Sequence, residues 1–228
     1  MSKKSITVLL AMGMAFSVLA DAHNKVQLWK DGPYWAETNI GAETPWDFGY
    51  YFWWGDTIGY KRVNNVWVAS DGSSSDFSFE LKRTPTIDKD ESSLRKEGWI
   101  TTDGVLVLKH DAAYVHWGGA WRMPTCQELK DLRSRCDWKW TTTNGVNGYV
   151  VCGRSKYSSA SIFLPCAGLG IGTSLRYTDS LGYYWSSVPR SEFSSYAWSA
   201  YFFLSDHDTF NYSRDHGHSV RPVQGFTK

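Results

Sequence analysis

The densest polar chemistry in the chain lies close to its C-terminus, in two short clusters of carboxylates and imidazoles. The clusters are Asp206-His207-Asp208 and Asp215-His216. Such side chains can exchange hydrogen bonds with a glycan or a protein, and carboxylate oxygens are the ligands that calcium prefers. The evenly spaced carboxylates and the glycine of a calcium loop are missing, so a polar loop between Leu204 and Tyr212 is favoured. The sequence therefore predicts no cofactor, with a structural calcium ion as the lesser alternative.

Aromatic side chains stand beside these clusters. Tyr196, Trp198 and Tyr212 can stack on sugar rings or pack against a protein partner, and core filling is the alternative. If residues 197–204 form a strand, alternate residues share a face. Both faces would then carry rings, so the pattern does not show which face is exposed. The predicted ligand-binding residues are Tyr196, Trp198, Asp206, His207, Asp208, Asn211, Tyr212, Asp215 and His216.

Catalytic chemistry is poorly matched by the sequence. His110, His116 and Cys126 stand in no nucleophile-elbow context. The histidines also lack the spacing of a zinc site. The residues themselves therefore indicate binding rather than catalysis.

The chain carries four cysteines, Cys126, Cys136, Cys152 and Cys166. Their spacing matches no zinc knuckle, and they are candidates for disulfides in an oxidising compartment. Cys126 and Cys136 fall at opposite ends of a predicted helix, about 15 Å apart at 1.5 Å per residue, which is too far for a bridge. This favours pairing between the helix and the hairpin that follows it. Four buried free thiols are the alternative.

The N-terminus resembles an export signal. Lys3 and Lys4 precede an apolar stretch over residues 6–19, which is too short for a membrane span and ends at the small residue Ala20. We predict a signal peptide over residues 1–20, with cleavage after residue 22 as an alternative. Residues 23–228 then form a single domain that is secreted, displayed on the cell surface or held in the periplasm.

The charge of the mature chain limits the classes of partner that it can bind. Removal of residues 1–20 takes away two lysines and no acid, which changes the formal charge from +1 to −1. A nearly neutral protein has no electrostatic means of holding nucleic acid. A second apolar segment able to span a bilayer is absent from the sequence. The predicted partner is a glycan or a protein outside the cell.

Several elements that would position these residues can be placed from the sequence. Thr125 and Glu128 have the spacing of a capping box, which predicts a helix that ends near Cys136. The Asn144-Gly145 pair between β-rich segments predicts a hairpin of residues 138–142 and 148–152. Residues 104–110 form either a buried strand or the approach to a short helix that Asp111 caps.

The remaining pattern is a series of short strands. They are expected at residues 26–29, 161–164, 183–187, 197–204 and 218–223. Residues 56–100 are polar and irregular and predict a long surface insertion, with room for a short helix. Strands, at least one well-marked helix and much irregular loop together indicate the α+β class.

Several sequence blocks, taken in order, resemble the Fibrobacter succinogenes major paralogous domain family of exported bacterial proteins. The block Trp117-Gly118-Gly119-Ala120-Trp121-Arg122-Met123-Pro124-Thr125 is the longest, and Tyr183-Tyr184-Trp185-Ser186-Ser187 and Ser219-Val220-Arg221-Pro222-Val223 lie near the end. The other matching blocks are residues 35–42, 49–55, 111–113, 128–129, 140–142, 144–149 and 161–168. The blocks spread over nearly the whole mature chain. His218 departs from the family, which more often has an aromatic residue there, and the four cysteines are not all a family feature.

The resemblance implies a C-type-lectin-like fold, of the kind found in formylglycine-generating enzymes and in retroelement-diversified variable proteins. In that fold the C-terminal aromatic and polar tract supplies much of the ligand-facing surface. The leading expectation is therefore an exported, non-catalytic binding module. One alternative is an oxidase of the formylglycine-generating type, in which Cys152 or Cys166 would be reactive although the enzyme's surrounding motifs are missing. The other is a structural envelope protein without a discrete ligand. Under the leading expectation, residues 183–187 and 219–223 form structural framework strands, and the ligand is contacted by residues between 192 and 216.

Overall fold

The computed structural model of the chain describes residues 23–73, 77–79 and 84–225. The predicted signal peptide lies outside the described residues, and so do Ser74 and Ser75 of the expected insertion. Within the described ranges the protein consists of small antiparallel sheets and a few short helices, which is an α+β arrangement. No helix in those ranges is long and apolar enough to cross a membrane.

The helices and strands are short and follow one another closely. The α-helices are α1 (Glu91–Lys96), α2 (Ala112–Trp117) and α3 (Cys126–Arg135), and single 3₁₀ turns lie at Leu108–His110 and Ser155–Tyr157. The strands are β1 (Lys25–Gln27), β2 (Tyr34–Ala36), β3 (Tyr60–Val63), β4 (Val66–Ala69), β5 (Trp121–Arg122), β6 (Asp137–Thr143), β7 (Val146–Cys152), β8 (Ser161–Pro165), β9 (Leu169–Ile171), β10 (Ser174–Arg176), β11 (Leu181–Pro189), β12 (Tyr196–Phe203), β13 (Asp206–Ser213) and β14 (Val223–Gln224).

The described strands form five separate sheets. One sheet has the order β1-β2-β14-β5 and joins the two ends of the described chain, since Val223 pairs with both Trp35 and Arg122. The chain also forms the sheets β6-β7-β8 and β11-β12-β13 and the two-stranded pairs β3-β4 and β9-β10. Each strand pair within these sheets is antiparallel.

Helix α3 begins where the sequence predicts. The Thr125 hydroxyl accepts the Glu128 amide at 3.1 Å, and the Glu128 carboxylate accepts the Thr125 amide at 2.8 Å. This reciprocal pair satisfies two backbone donors that a helix start otherwise leaves open. The capping box is therefore confirmed. Cys126 and Cys136 lie at the two ends of the helix, as expected.

The Asn144-Gly145 hairpin is also confirmed. It joins β6 to β7, and both turn residues have positive φ, 47° for Asn144 and 81° for Gly145. A two-residue turn with both positions left-handed matches the twist of the flanking strands, and only glycine and asparagine adopt it readily.

The insertion over residues 56–100 is more structured than the sequence suggests. It contains the β3-β4 hairpin, which the pattern did not predict, and α1, which matches the expected short helix. Tyr60 and Trp67 from the hairpin are buried, and so is Leu94 from α1. The insertion therefore contributes to the core and is not confined to the surface.

The expected strand over residues 218–223 forms only in part. Regular pairing is limited to β14, while His218 and Ser219 make isolated bridges to Phe52 and Tyr184. Arg221 lies between the isolated bridges and β14, and its buried guanidinium donates to the side-chain oxygen of Asn39 and to nearby backbone carbonyls. These bonds agree with the framework role expected of residues 219–223.

A shared core fixes the C-terminal sheet in place. Leu129 and Leu132 of α3, Val151 of β7 and Phe202 of β12 belong to one buried apolar cluster. The cluster holds one face of the β11-β12-β13 sheet against α3 and the hairpin. The positions of side chains on that sheet are consequently set by rigid neighbours on one side.

Candidate functional site

The C-terminal sheet β11-β12-β13 carries most of the predicted ligand-binding residues. Its register sets Tyr183 opposite Tyr201, and Tyr201 opposite Asp208. Residues directly opposite one another share a face of a sheet, and successive residues alternate between faces. The register therefore divides the predicted residues into two groups.

One face of the sheet displays a connected group of rings, which we call the aromatic face. It consists of Tyr183, Tyr201, Phe203, Phe210 and Tyr212. The ring centroids of Tyr183 lie 5.2 Å from Tyr201 and 5.0 Å from Tyr212, and Phe210 lies 5.9 Å from Tyr212. These separations are those of favourable aromatic pairs. The group is a preassembled surface rather than a set of independent rings.

Exposure is graded across the aromatic face. Phe210 is 54% exposed and Tyr183 only 5%, while Tyr201, Phe203 and Tyr212 are half-buried. Tyr183 therefore supports the outer rings from beneath. Of the predicted aromatic residues only Tyr212 belongs to this face. Tyr201 and Phe203 were missed because both faces of the expected strand carry rings, so the pattern did not show which face is exposed. Phe210 was missed because the segment between Leu204 and Tyr212 was expected to be a polar loop.

The phenols of the aromatic face are neutral. Burial and the neighbouring Tyr201 raise the pKa of Tyr212 to about 12, and burial is also the main cause of a raised pKa for Tyr183 and Tyr201. Each hydroxyl keeps its proton at neutral pH and can both donate and accept a hydrogen bond. The surface thus combines apolar ring area with uncharged polar groups.

The opposite face of the sheet is covered by α3 and the β6-β7 hairpin. Trp198 lies beneath Lys130 of α3, whose ammonium nitrogen is 4.9 Å from the ring centroid. His207 stacks on Trp138 at 4.5 Å, and Asn211 is 9% exposed. Three of the predicted ligand-binding residues therefore point toward the covered side, away from Tyr212.

The carboxylates of Asp206 and Asp208 accept backbone hydrogen bonds along β13, which forms the free edge of the sheet. Asp206 accepts the His207 amide at 2.8 Å, and Asp208 accepts the Thr209 amide at 2.7 Å. Arg133 of α3 adds an ion pair to Asp208 at 3.3 Å. Side chains that satisfy outward-pointing amides protect an edge strand from pairing with another chain. The two carboxylates border the aromatic face and also stabilise strand β13.

Tyr196 lies apart from the aromatic face. It is 37% exposed at the start of β12, on the same side as Trp198 by register, and its ring meets Phe193 at 5.9 Å. The structure therefore does not bring Tyr196 and Tyr212 together on one surface, although both were predicted as ligand contacts.

Asp215 and His216 follow β13, and the His216 ring lies 6.3 Å from the ring of the buried His218. The His216 Nε2 atom lies 3.9 Å from Asp215 Oδ1. Burial lowers the pKa of His216, and burial together with His216 holds the pKa of His218 well below its usual value. Among the described residues, no three His, Cys, Asp or Glu side chains are grouped so that they could hold a metal ion.

The four cysteines are free thiols in the structure. This is the arrangement given above as the alternative to disulfides. Burial raises the pKa of both Cys136 and Cys166 to about 12, whereas Cys152 is half-buried on β7. A nucleophilic cysteine needs a thiolate in an accessible, electropositive setting. The surroundings of Cys166 are the reverse of that requirement.

Comparison of the chain with protein-family models, with curated proteins and with solved structures gives no match.

Proposed function

We propose that the protein is an exported, non-catalytic binding module that contacts a glycan or a protein through the aromatic face. The observation that carries this proposal is the contiguous set of rings on one side of the β11-β12-β13 sheet, with Phe210 as its most exposed member. Large rings supply contact area at a small cost in conformational entropy. A rigid sheet beneath them lowers that cost further.

The proposal includes the finer assignment of the fold. The sequence blocks that resemble the Fibrobacter succinogenes major paralogous domain family, together with the α+β arrangement of short antiparallel strands, support a C-type-lectin-like fold. In such a fold the C-terminal tract faces the ligand. The aromatic face lies within that tract, between residues 183 and 212.

The chemistry of the surface suits a ligand that combines apolar patches with hydrogen-bonding groups. The hydroxyls of Tyr201 and Tyr212 are neutral, and one oxygen of Asp206 and one of Asp208 already accept backbone amides. A sugar ring offers apolar C–H patches flanked by hydroxyls, which complements rings bordered by phenols and carboxylates. An uncharged patch on a protein has the same character.

The mature domain, residues 23–228, tests the proposal on a glycan array and in a pull-down of surface proteins. We expect Phe210→Ala and Tyr212→Ala to weaken the retained contact at least tenfold, since central aromatic anchors dominate binding energy. Tyr34→Ala is the matched control, because Tyr34 is a similarly exposed ring on a different sheet.

Trp198→Ala and Tyr196→Ala separate the two sides of the sheet. We expect them to leave binding unchanged if the aromatic face is the contact surface. Unchanged binding in both Phe210→Ala and Tyr212→Ala would refute the proposed surface. Retention of no glycan and no protein would instead favour a structural component of the cell envelope.

A further inference from the structure

A second concave surface lies away from the aromatic face. It is a cavity of about 790 Å³ between residues 105–108 and the first turn of α3. Its lining includes none of the residues of the aromatic face. Cavities of roughly 300–1,000 Å³ with mainly apolar walls are typical of small-molecule sites.

The walls of this cavity are predominantly apolar. Leu106 and Met123 form a buried floor, whereas Leu108 is 53% exposed at the rim and Val105 and Val107 are half-buried. A floor of closely packed side chains makes the cavity part of the folded domain rather than a gap between loops. An apolar occupant would gain about 25 cal/mol for each Å² of apolar surface it removes from water.

Three of the four charged side chains that line the cavity, Asp111, Arg122 and Glu128, are held by hydrogen bonds within the protein, and the fourth, Asp103, is exposed to solvent. The Asp111 carboxylate accepts the amides of Ala113, Tyr114 and Met123 at 2.9–3.1 Å. The Glu128 carboxylate is held by both terminal nitrogens of Arg122, at 2.7 and 2.5 Å. A charged ligand would have to compete with these bonds, so the cavity favours a neutral one.

The backbone of the cavity wall is also engaged on both sides. The Leu106 amide donates to the Ser187 carbonyl at 2.9 Å, and the Val107 amide donates to the Trp99 carbonyl at 3.0 Å. Val105 accepts the Thr101 amide at 2.8 Å. An extended peptide binds a strand edge through unpaired backbone groups. In residues 105–107 the backbone groups named above already form hydrogen bonds within the protein. Strand addition is therefore disfavoured here.

We propose that this cavity binds a neutral, apolar small molecule with an aliphatic or aromatic body. Apolar contact with the accessible side chains of Leu108, Val105 and Val107, above the floor of Leu106 and Met123, provides the affinity. Shape, rather than charge or backbone pairing, selects the ligand.

Titration of the mature domain with N-phenyl-1-naphthylamine, a neutral apolar fluorophore, tests the proposal. We expect a saturable rise in fluorescence with one site per chain. Leu108→Asp should weaken binding at least tenfold, because it removes a rim contact and adds a charge that an apolar ligand cannot pair. Val105→Trp, which fills the cavity, should have the same effect by a different route.

Val115→Asp is the matched control, because Val115 is 49% exposed on α2 and does not line the cavity. Circular dichroism and thermal unfolding establish that each variant is folded. Phe210→Ala should bind the fluorophore normally, which separates this site from the aromatic face. Absence of saturable binding by the wild type would overturn the proposal. Equal weakening by Val115→Asp and Leu108→Asp in folded proteins would also overturn it.

Discussion

Among the residues that the structure describes, Arg214 and Arg221 are buried without a carboxylate within bonding distance. Arg221 donates to Asn39 Oδ1 at 2.8 Å and to the carbonyl of Phe163 at 2.9 Å. Arg214 donates to the carbonyls of Thr86 and Tyr196, both at 2.9 Å. Burial lowers the pKa of each to about 10, so both stay charged at neutral pH. The guanidinium offers five donors in a fixed plane, which suits it to tie several loops together.

His218 stands at a position where the proposed family more often has an aromatic residue, and its surroundings show how the imidazole is accommodated. The imidazole is fully buried, stacks on Trp185 at 3.8 Å and shares a 3.1 Å hydrogen bond with Ser199 Oγ. It thus occupies the space of an aromatic ring and adds one polar contact. Its lowered pKa means that the fold contains the neutral form.

A pH dependence of stability follows from His218. Because its folded pKa lies well below 6.5, the unfolded chain takes up a proton below pH 6.5 that the folded chain does not. Stability should therefore fall as the pH drops below 6.5, by up to about 1.4 kcal/mol per pH unit for one histidine. Urea unfolding at pH 7.5, 6.5 and 5.5 measures the slope.

The His218→Phe variant isolates that contribution. We expect a shallower slope than in the wild type, although His216, whose pKa is also lowered, retains a share of it. Val68→Ala, at an exposed apolar position on β4, serves as the control because it removes no titratable group. An identical slope in wild type and His218→Phe would contradict the assignment.

At the scale of elements, α3 supports the sheet that carries the aromatic face. Leu129 and Leu132 pack in the core, Lys130 lies over Trp198, and Arg133 donates to the His207 carbonyl at 2.8 Å. The start of this helix is fixed by the Thr125 capping box. Helix stability and the position of β13 are therefore linked.

Loss of the cap should be measurable. Thr125→Ala removes the hydroxyl that accepts a hydrogen bond from the Glu128 amide. We expect the free energy of unfolding to fall by about 1 kcal/mol, within the range of about 0.5–2 kcal/mol that is usual for loss of an N-cap side chain. Chemical denaturation provides the measurement. Ser134→Ala in the last turn of α3 is the control, since within the described part of the chain its hydroxyl makes only a long hydrogen bond of 3.4 Å, to the Asp131 carbonyl. A loss no larger in Thr125→Ala than in Ser134→Ala would show that the cap contributes little.

The sequence predicted those elements whose geometry depends on hydrogen bonds and dihedral angles within a few residues. The Thr125 cap and the Asn144-Gly145 turn are set by hydrogen bonds and dihedral angles within a few residues, so the sequence displays them directly. Strand β13 was missed because Asp and Asn have low strand propensity, and its pairing with β12 is a tertiary effect. The sequence also could not show that Trp198 lies on the covered side of the sheet, because this too depends on tertiary packing. Only the packing of α3 decides which side of β12 is covered.

At the scale of the whole molecule, the fold reaches stability without a covalent crosslink among its four cysteines. Large rings fill the three core clusters, with Trp35, Trp54 and Trp67 among the most deeply buried side chains. Such side chains bury a large apolar area each. The core therefore supplies what disulfides supply in smaller exported domains.

Thiol titration checks this arrangement. We expect four reactive thiols in denaturant and at most slow reaction of half-buried Cys152 in the native protein, since the other thiols are buried. The melting temperature should be the same with and without a reductant. A Cys152→Ser variant identifies the native reaction. Two or fewer thiols in denaturant would show instead that the cysteines are bridged.

The placement of β14 has a consequence for the timing of folding. This strand lies between β2 and β5, so the N-terminal part of the domain lacks a central partner until residues 223 and 224 are available. Pairing between segments so distant in sequence also forms slowly. We expect the chain to remain incompletely folded while it is being translated. If the proposed export takes place, an incompletely folded chain would be able to pass through a narrow secretion channel and would complete its structure on the far side.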